Sequence, residues 1–205
     1  MTENNATTPE ETNPAGASAV SFPQRSLAEL QAGFRALPPP PSDLGRLVLI
    51  VCRRAPGVHE VLDRVHLTPE EGVPGDAWNR RPTRHPETQL TVIRRDVAEL
   101  IAHGLPLSVS GDNLIVDLDI SAANLPVGTR LRVGQAVVEV SPKPHNGCHK
   151  FQARFGPDAL RFVQTPATRH QNLRGVHWRV VEPGEARVGA PIEVLSRPIG
   201  VEGRK

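Results

Sequence analysis

The apolar runs of this chain are no longer than a β-strand, and glycine or proline separates most of them; Leu47 to Cys52 is among the longest. Runs of that length cannot span a membrane as helices. Repeated at short intervals with turn residues between them, they predict a mainly β domain, closed or nearly closed into a barrel, with few and short helices. Aromatic residues make up 3% of the chain and tyrosine is absent, so the core has to be built from Val, Leu, Ile and Ala. A chain of 205 residues suits one such domain with short additions.

Strands are expected at Leu47–Val51, Val58–Leu67 (with an irregularity), Gln89–Ile93, Ile115–Ile120, Thr129–Val133, Ala136–Val140, Gly175–Val181 and Ile192–Leu195. In Gly175–Val181 the residues Val176, Trp178 and Val180 alternate with polar neighbours, the period of a half-buried strand. Asp96–His103 carries Val97, Leu100 and Ile101 on one helical face, with Gly104 placed to cap it. Pro183-Gly184 reads as a turn. The N-terminal residues 1–21 are polar and aperiodic, the composition of a disordered tail. Residues 22–43 follow as a short amphipathic helix and a proline-rich linker. The helix opens on the capping box Ser26-Leu27-Ala28-Glu29, and Pro38 to Pro41 stop it. The barrel domain is expected over 44–198, with a tail at 199–205.

The formal charge of +2 argues against nucleic acid as the main partner. The N-terminus lacks the basic start and apolar core of a signal peptide, so a cytoplasmic, membrane-free protein is the expectation. Two cysteines, Cys52 and Cys148, do not form a disulfide framework. Cys52 ends an apolar run and fits a packing role. Cys148 lies in a polar turn, Ser141 to Phe151, with Lys143, His145, His149 and Lys150 around it and Arg154 one helical turn further on. Cations favour the thiolate, and so does a helix N-terminus, which Cys148–Phe155 would provide after Pro144 and Gly147. Asp158–Val163 adds one or two helical turns. This is the pattern of a sulfur-accepting or metal-binding cysteine, with His149 and Lys150 as its immediate helpers. A zinc site is disfavoured, because adjacent Cys148 and His149 do not easily face one ion.

Several of these motifs, in this order, resemble the MOSC domain family, named for the C-terminal domain of molybdenum cofactor sulfurase. They are Gly72 to Asp76, Gly111-Asp112-Asn113-Leu114, Val127 to Gly134, Val137 to Val140 leading into Gly147-Cys148-His149-Lys150-Phe151, Arg154-Phe155-Gly156, and Arg174-Gly175-Val176 to Gly184. The resemblance implies a β-barrel with Cys148 as its functional centre. That cysteine would carry sulfur as a persulfide or ligate the molybdenum of a pterin cofactor. It further implies that Arg80, Arg81, Arg84, Asn113 and Arg154 are candidates to hold that anionic cofactor. A cysteine desulfurase or an electron-transfer protein is the implied partner. A reductase of N-hydroxylated compounds and a non-catalytic anion-binding barrel are the alternative activities. No intrinsic flavin, iron–sulfur or pyridoxal-phosphate site is expected; two cysteines cannot ligate a cluster.

Overall fold

The computed structural model describes residues 24–198; the expected tails, 1–21 and 199–205, lie outside the described residues. Ten strands alternate with three helices: α1 (Leu27–Ala36), β1 (Leu44–Ala55), β2 (Val58–Leu62), β3 (Arg64–Leu67), β4 (Leu90–Arg94), α2 (Arg95–Ala102), β5 (Leu114–Asp117), β6 (Arg130–Val133), β7 (Ala136–Val140), α3 (His149–Gln164), β8 (Val176–Glu182), β9 (Gly184–Arg187) and β10 (Pro191–Ser196). Seven of them close into a ring in the order β10-β6-β7-β8-β4-β5-β1, sealed by the β1–β10 pairing. The fold is therefore mainly β and a closed barrel. The β4–β5 pair is parallel and the remaining ring pairs are antiparallel. β2 extends the sheet as a hairpin on β1, and β3 pairs with β9 outside the ring. Among the described residues no helix is long and apolar enough to cross a membrane.

Period-two alternation decides what fills the barrel. Leu90 and Val92 of β4, Leu114 and Val116 of β5, Leu131 and Val133 of β6, Val138 and Val140 of β7, and Val176, Trp178 and Val180 of β8 meet in one buried cluster. The intervening residues face the other way. Ile93 and Ile115 form an outer cluster with Ala98 of α2. The alternation read from the sequence at Val176–Val180 therefore marks the barrel lining, with Trp178 fully buried.

The helices cover one side of the barrel. α1 has the expected capping box: the Ser26 hydroxyl accepts from Glu29 N–H, and Ser26 N–H donates to the Glu29 carboxylate at 2.8 Å. Its Leu30 is 1% exposed and shares a cluster with Phe151, Phe155 and Phe162 of α3. Phe34 meets Phe162 edge-on at 5.9 Å, and the Leu27 amide donates to Asp158. α1 is thus docked on α3 rather than lying free.

Four local expectations change. The single irregular strand expected over Val58–Leu67 is two strands, because Asp63 interrupts the pairing and β3 leaves β1 for β9. The left-handed cap of α2 is His103 (φ 47°), one residue before Gly104. The two expected helical pieces join as α3, bent at Gly156, whose φ of 88° suits glycine, with Pro157 starting the second part. β9 was not apparent from the sequence; it begins directly at Gly184 of the expected turn.

Replacing Leu30 by Ala opens a cavity between α1 and α3. A loss of about 2–5 kcal/mol is expected in urea unfolding, against a near-neutral Leu30→Met.

Candidate functional site

The outward face of four neighbouring ring strands carries polar residues at one level. Register places Asn113, just before β5, beside Thr91 of β4, and Thr91 opposite His177 of β8. Arg53 of β1 reaches the same level from the other side. Residues Asn113, Thr91 and His177 are all at most 8% exposed, so this stripe is buried and must satisfy itself.

It does so through Asn113. The Asn113 Oδ1 accepts from Thr91 N–H (3.1 Å), the Thr91 hydroxyl (3.1 Å) and Arg53 Nη2 (2.9 Å). Its Nδ2 donates to Val51 O (3.2 Å) and to Asp76 Oδ2 (3.1 Å). Asp76 in turn receives Arg53 N–H at 2.7 Å, Arg53 Nη2 at 2.6 Å and Trp78 N–H at 2.9 Å. Burial raises the Asp76 carboxyl, but the hydrogen bonds and charge of Arg53 outweigh it and hold the group below its ordinary value.

Asp112, one residue earlier, belongs to a second buried network. It is fully buried and accepts Arg174 Nη1 on both oxygens at 3.0 Å. The Arg174 guanidinium lies 4.8 Å over the Phe151 ring of α3. His145 Nδ1 is 3.8 Å from Asp112 Oδ1, and its ring meets that of His177 at a 45° tilt with centroids 4.5 Å apart. His177 Nδ1 donates to Lys143 O at 3.0 Å. Burial pushes the His145 ring well below its ordinary value of 6.5, with Arg174 and His177 adding to the shift, and burial lowers His177 too. Gly175 lets this loop pass over β4: at φ 103° a Cβ would stand 2.1 Å from Val92 O.

Cys148 stands just above these networks. It is exposed, extended (φ −131°, ψ 175°), and the residue from which α3 starts. No side chain caps the helix there. Cys52, by contrast, is buried in the barrel. Arg154, one turn into α3, donates to Ser110 O at 2.9 Å, and burial lowers its pKa while Asp112 and Cys148 act in the opposite direction.

The candidates named from sequence divide. Cys148, His149 and Lys150 are all exposed at the head of α3, and Arg154 lies beside them. Asn113 is fully buried, with its side-chain amide consumed by Arg53, Asp76, Thr91 and Val51. Arg80 donates to Gly75 O at 3.0 Å and Arg53 O at 3.1 Å. Arg84 donates to Glu70 O and lies over Trp78; Arg81 is exposed. Among the described residues no hydrogen bond or ion pair joins these three arginines to Cys148. Asp112, His145, Arg174 and His177 carry the polar centre instead. The signal for Asp112 was at hand, an acidic residue entering an apolar strand, but its partner is 62 residues away. Among the described residues no three His, Cys, Asp or Glu side chains gather to hold a metal.

A MOSC domain model matches residues 66–193, well over half of the chain. The uncharacterized protein YflK of Bacillus subtilis is 34% identical over 101 residues, 48% of this chain and 42% of YflK. The match thus spans less than half of that relative. Among solved structures, YuaD of Bacillus subtilis superposes with a TM-score of 0.56 at 16% identity, over 74% of this chain and 95% of YuaD. YiiM of Escherichia coli gives 0.52 at 24% identity, over 76% of this chain and 72% of YiiM. At those identities the structures speak for the fold.

Two measurements check the networks. Asn113→Ala should cost about 2–4 kcal/mol in urea unfolding, since it strands Arg53, Asp76 and Thr91 N–H, whereas Arg81→Ala should stay within about 0.5 kcal/mol. His145 and His177 titrate lower in the fold than in the unfolded chain. The unfolded state therefore binds more protons below pH 6.5, and stability should fall as pH drops from about 6.5 towards 5. A double His145→Gln, His177→Gln variant should lose most of that slope, the remainder coming from His59, which burial also lowers.

Proposed function

The chain belongs to the MOSC domain family, and from that premise we propose that it is a stand-alone MOSC protein whose chemistry runs through Cys148, as a sulfur acceptor and donor. The observation that carries this reading is the contrast between the two cysteines. Cys52 is sealed in the barrel, while Cys148 is exposed at the head of α3 within the field of Arg154. Thiolates are the attacking species in sulfur transfer, and neighbouring cations favour them.

The step is an exchange between sulfurs. The Cys148 thiolate attacks the outer sulfur of a persulfide on a donor such as a cysteine desulfurase. The donor's S–S bond breaks, its thiolate leaves, and the new S–S bond leaves Cys148 as the persulfide. No net oxidation occurs. Lys150, His149 and Lys143, close to Cys148 along the chain, supply cations to stabilise the product anion, and exposure of Cys148 gives donor and acceptor proteins access.

The donor set also fits a molybdenum–pterin cofactor, which supports a second reading. A lone exposed thiolate is a soft metal ligand, and Arg154 and Lys150 are cations suited to a phosphate-bearing group. When bound, such a cofactor would supply the redox chemistry for reducing N-hydroxylated compounds, with electrons from a partner protein. Cys148 would hold the metal, and Arg154 and Lys150 the anionic tail.

Incubating the protein with a cysteine desulfurase and cysteine should add one sulfur atom to its intact mass, reversed by dithiothreitol and absent in Cys148→Ala. An unchanged mass, together with molybdenum retained by the native protein and lost from Cys148→Ala, would favour the second reading over the first.

A further inference from the structure

Beside Cys148 the loop 141–147 and the segment 164–176 enclose a cleft of about 990 Å³, the size of a small-molecule site. Its lining contains no aspartate or glutamate. It does contain Lys143, Arg169 and His170, all exposed, and among the described residues neither Lys143 nor Arg169 has an ion-pair partner. The nearby carboxylate, Asp112, is fully buried against Arg174 and does not line the cleft.

The inner wall carries a second, independent signal. Ser141 and Arg174 line the cleft and are 5% and 8% exposed, and the Ser141 hydroxyl and Arg174 Nε have no hydrogen-bond partner. The His145 side chain is 10% exposed, lines the same cleft, and its Nδ1 is also unpartnered. Buried polar atoms without partners are uncommon, and three of them on one wall ask for a ligand. A guanidinium N–H can only donate and a hydroxyl can donate, so an acceptor satisfies both. Cations at the mouth require it to be negative.

We infer that this cleft binds a small phosphate- or carboxylate-bearing co-substrate of the Cys148 chemistry, with Lys143 and Arg169 at its mouth and Ser141, His145 and Arg174 at its inner wall. Gly147 belongs to the cleft and precedes Cys148 in the chain, so the cleft abuts the head of α3 from which Cys148 is presented. The inference rests on Cys148 being the reactive centre, but its test does not.

Calorimetric titration of the full chain with pyrophosphate and with citrate, at constant ionic strength, is the test. Saturable binding of one or both is expected, and which one binds separates the phosphate from the carboxylate class. A Lys143→Ala, Arg169→Ala double variant should bind at least about tenfold more weakly. Ser141→Ala should also bind more weakly, while its melting temperature without ligand holds or rises, because an unpaired buried hydroxyl has been removed. Cys148→Ala should bind as the native protein does, so anion binding without persulfide formation would retain the cleft and reject sulfur transfer. Failure of both probes to bind, or equal binding by the double variant, would overturn the inference.

Discussion

Everything around the candidate site depends on the buried pairing of Arg53 with Asp76, completed by Asn113. An ion pair withdrawn from water gains little unless every remaining donor and acceptor is also met. Here the carboxylate takes two backbone amides and the Asn113 amide besides the guanidinium. The guanidinium takes Asn113 Oδ1 and approaches Gly111 O at 3.4 Å. The network ties the end of β1, the loop before the 3-10 turn at Ala77–Arg80, β4 and the start of β5 into one unit. Any small shift of one of these would leave a buried charge without its partner.

The tripeptide Gly111-Asp112-Asn113 is where the two networks meet back to back. Gly111 enters β5 from a left-handed turn, and the next two side chains then diverge. Asn113 serves Arg53 and Asp76; Asp112 serves Arg174 and faces His145. Through Arg174 and Phe151 the second network reaches α3, and through His145 and His177 it reaches the loop that leads to Cys148. The exposed thiol thus stands on a rigid polar base. Docking of α1 holds α3 from the outside, with Leu30 and Phe34 packed on its phenylalanines.

The strands were legible because each is a short apolar run with the right period, and the barrel followed from their number. The cysteine was legible too, as a thiol in a polar turn among cations. β9 was not, since Gly184-Glu185-Ala186-Arg187 has no large apolar residue to mark a strand, and β3, read as part of the Val58–Leu67 strand, gave no sign that it would pair with β9. Nor were the polar partners. Arg53 and Asp76 are 23 residues apart and Asp112 and Arg174 are 62 apart, so only the closed barrel brings them together. For the same reason the arginines at 80 and 84 looked available from sequence, while in the fold they donate to nearby carbonyls.

The central claim is that the fold presents one of its two cysteines for chemistry and shuts the other away. Brief treatment of the native protein with iodoacetamide, followed by peptide mass mapping, tests it most directly. Cys148 should be alkylated readily under native conditions, and Cys52 only after unfolding in denaturant. Protection of Cys148 equal to that of Cys52 in the folded protein would contradict the account.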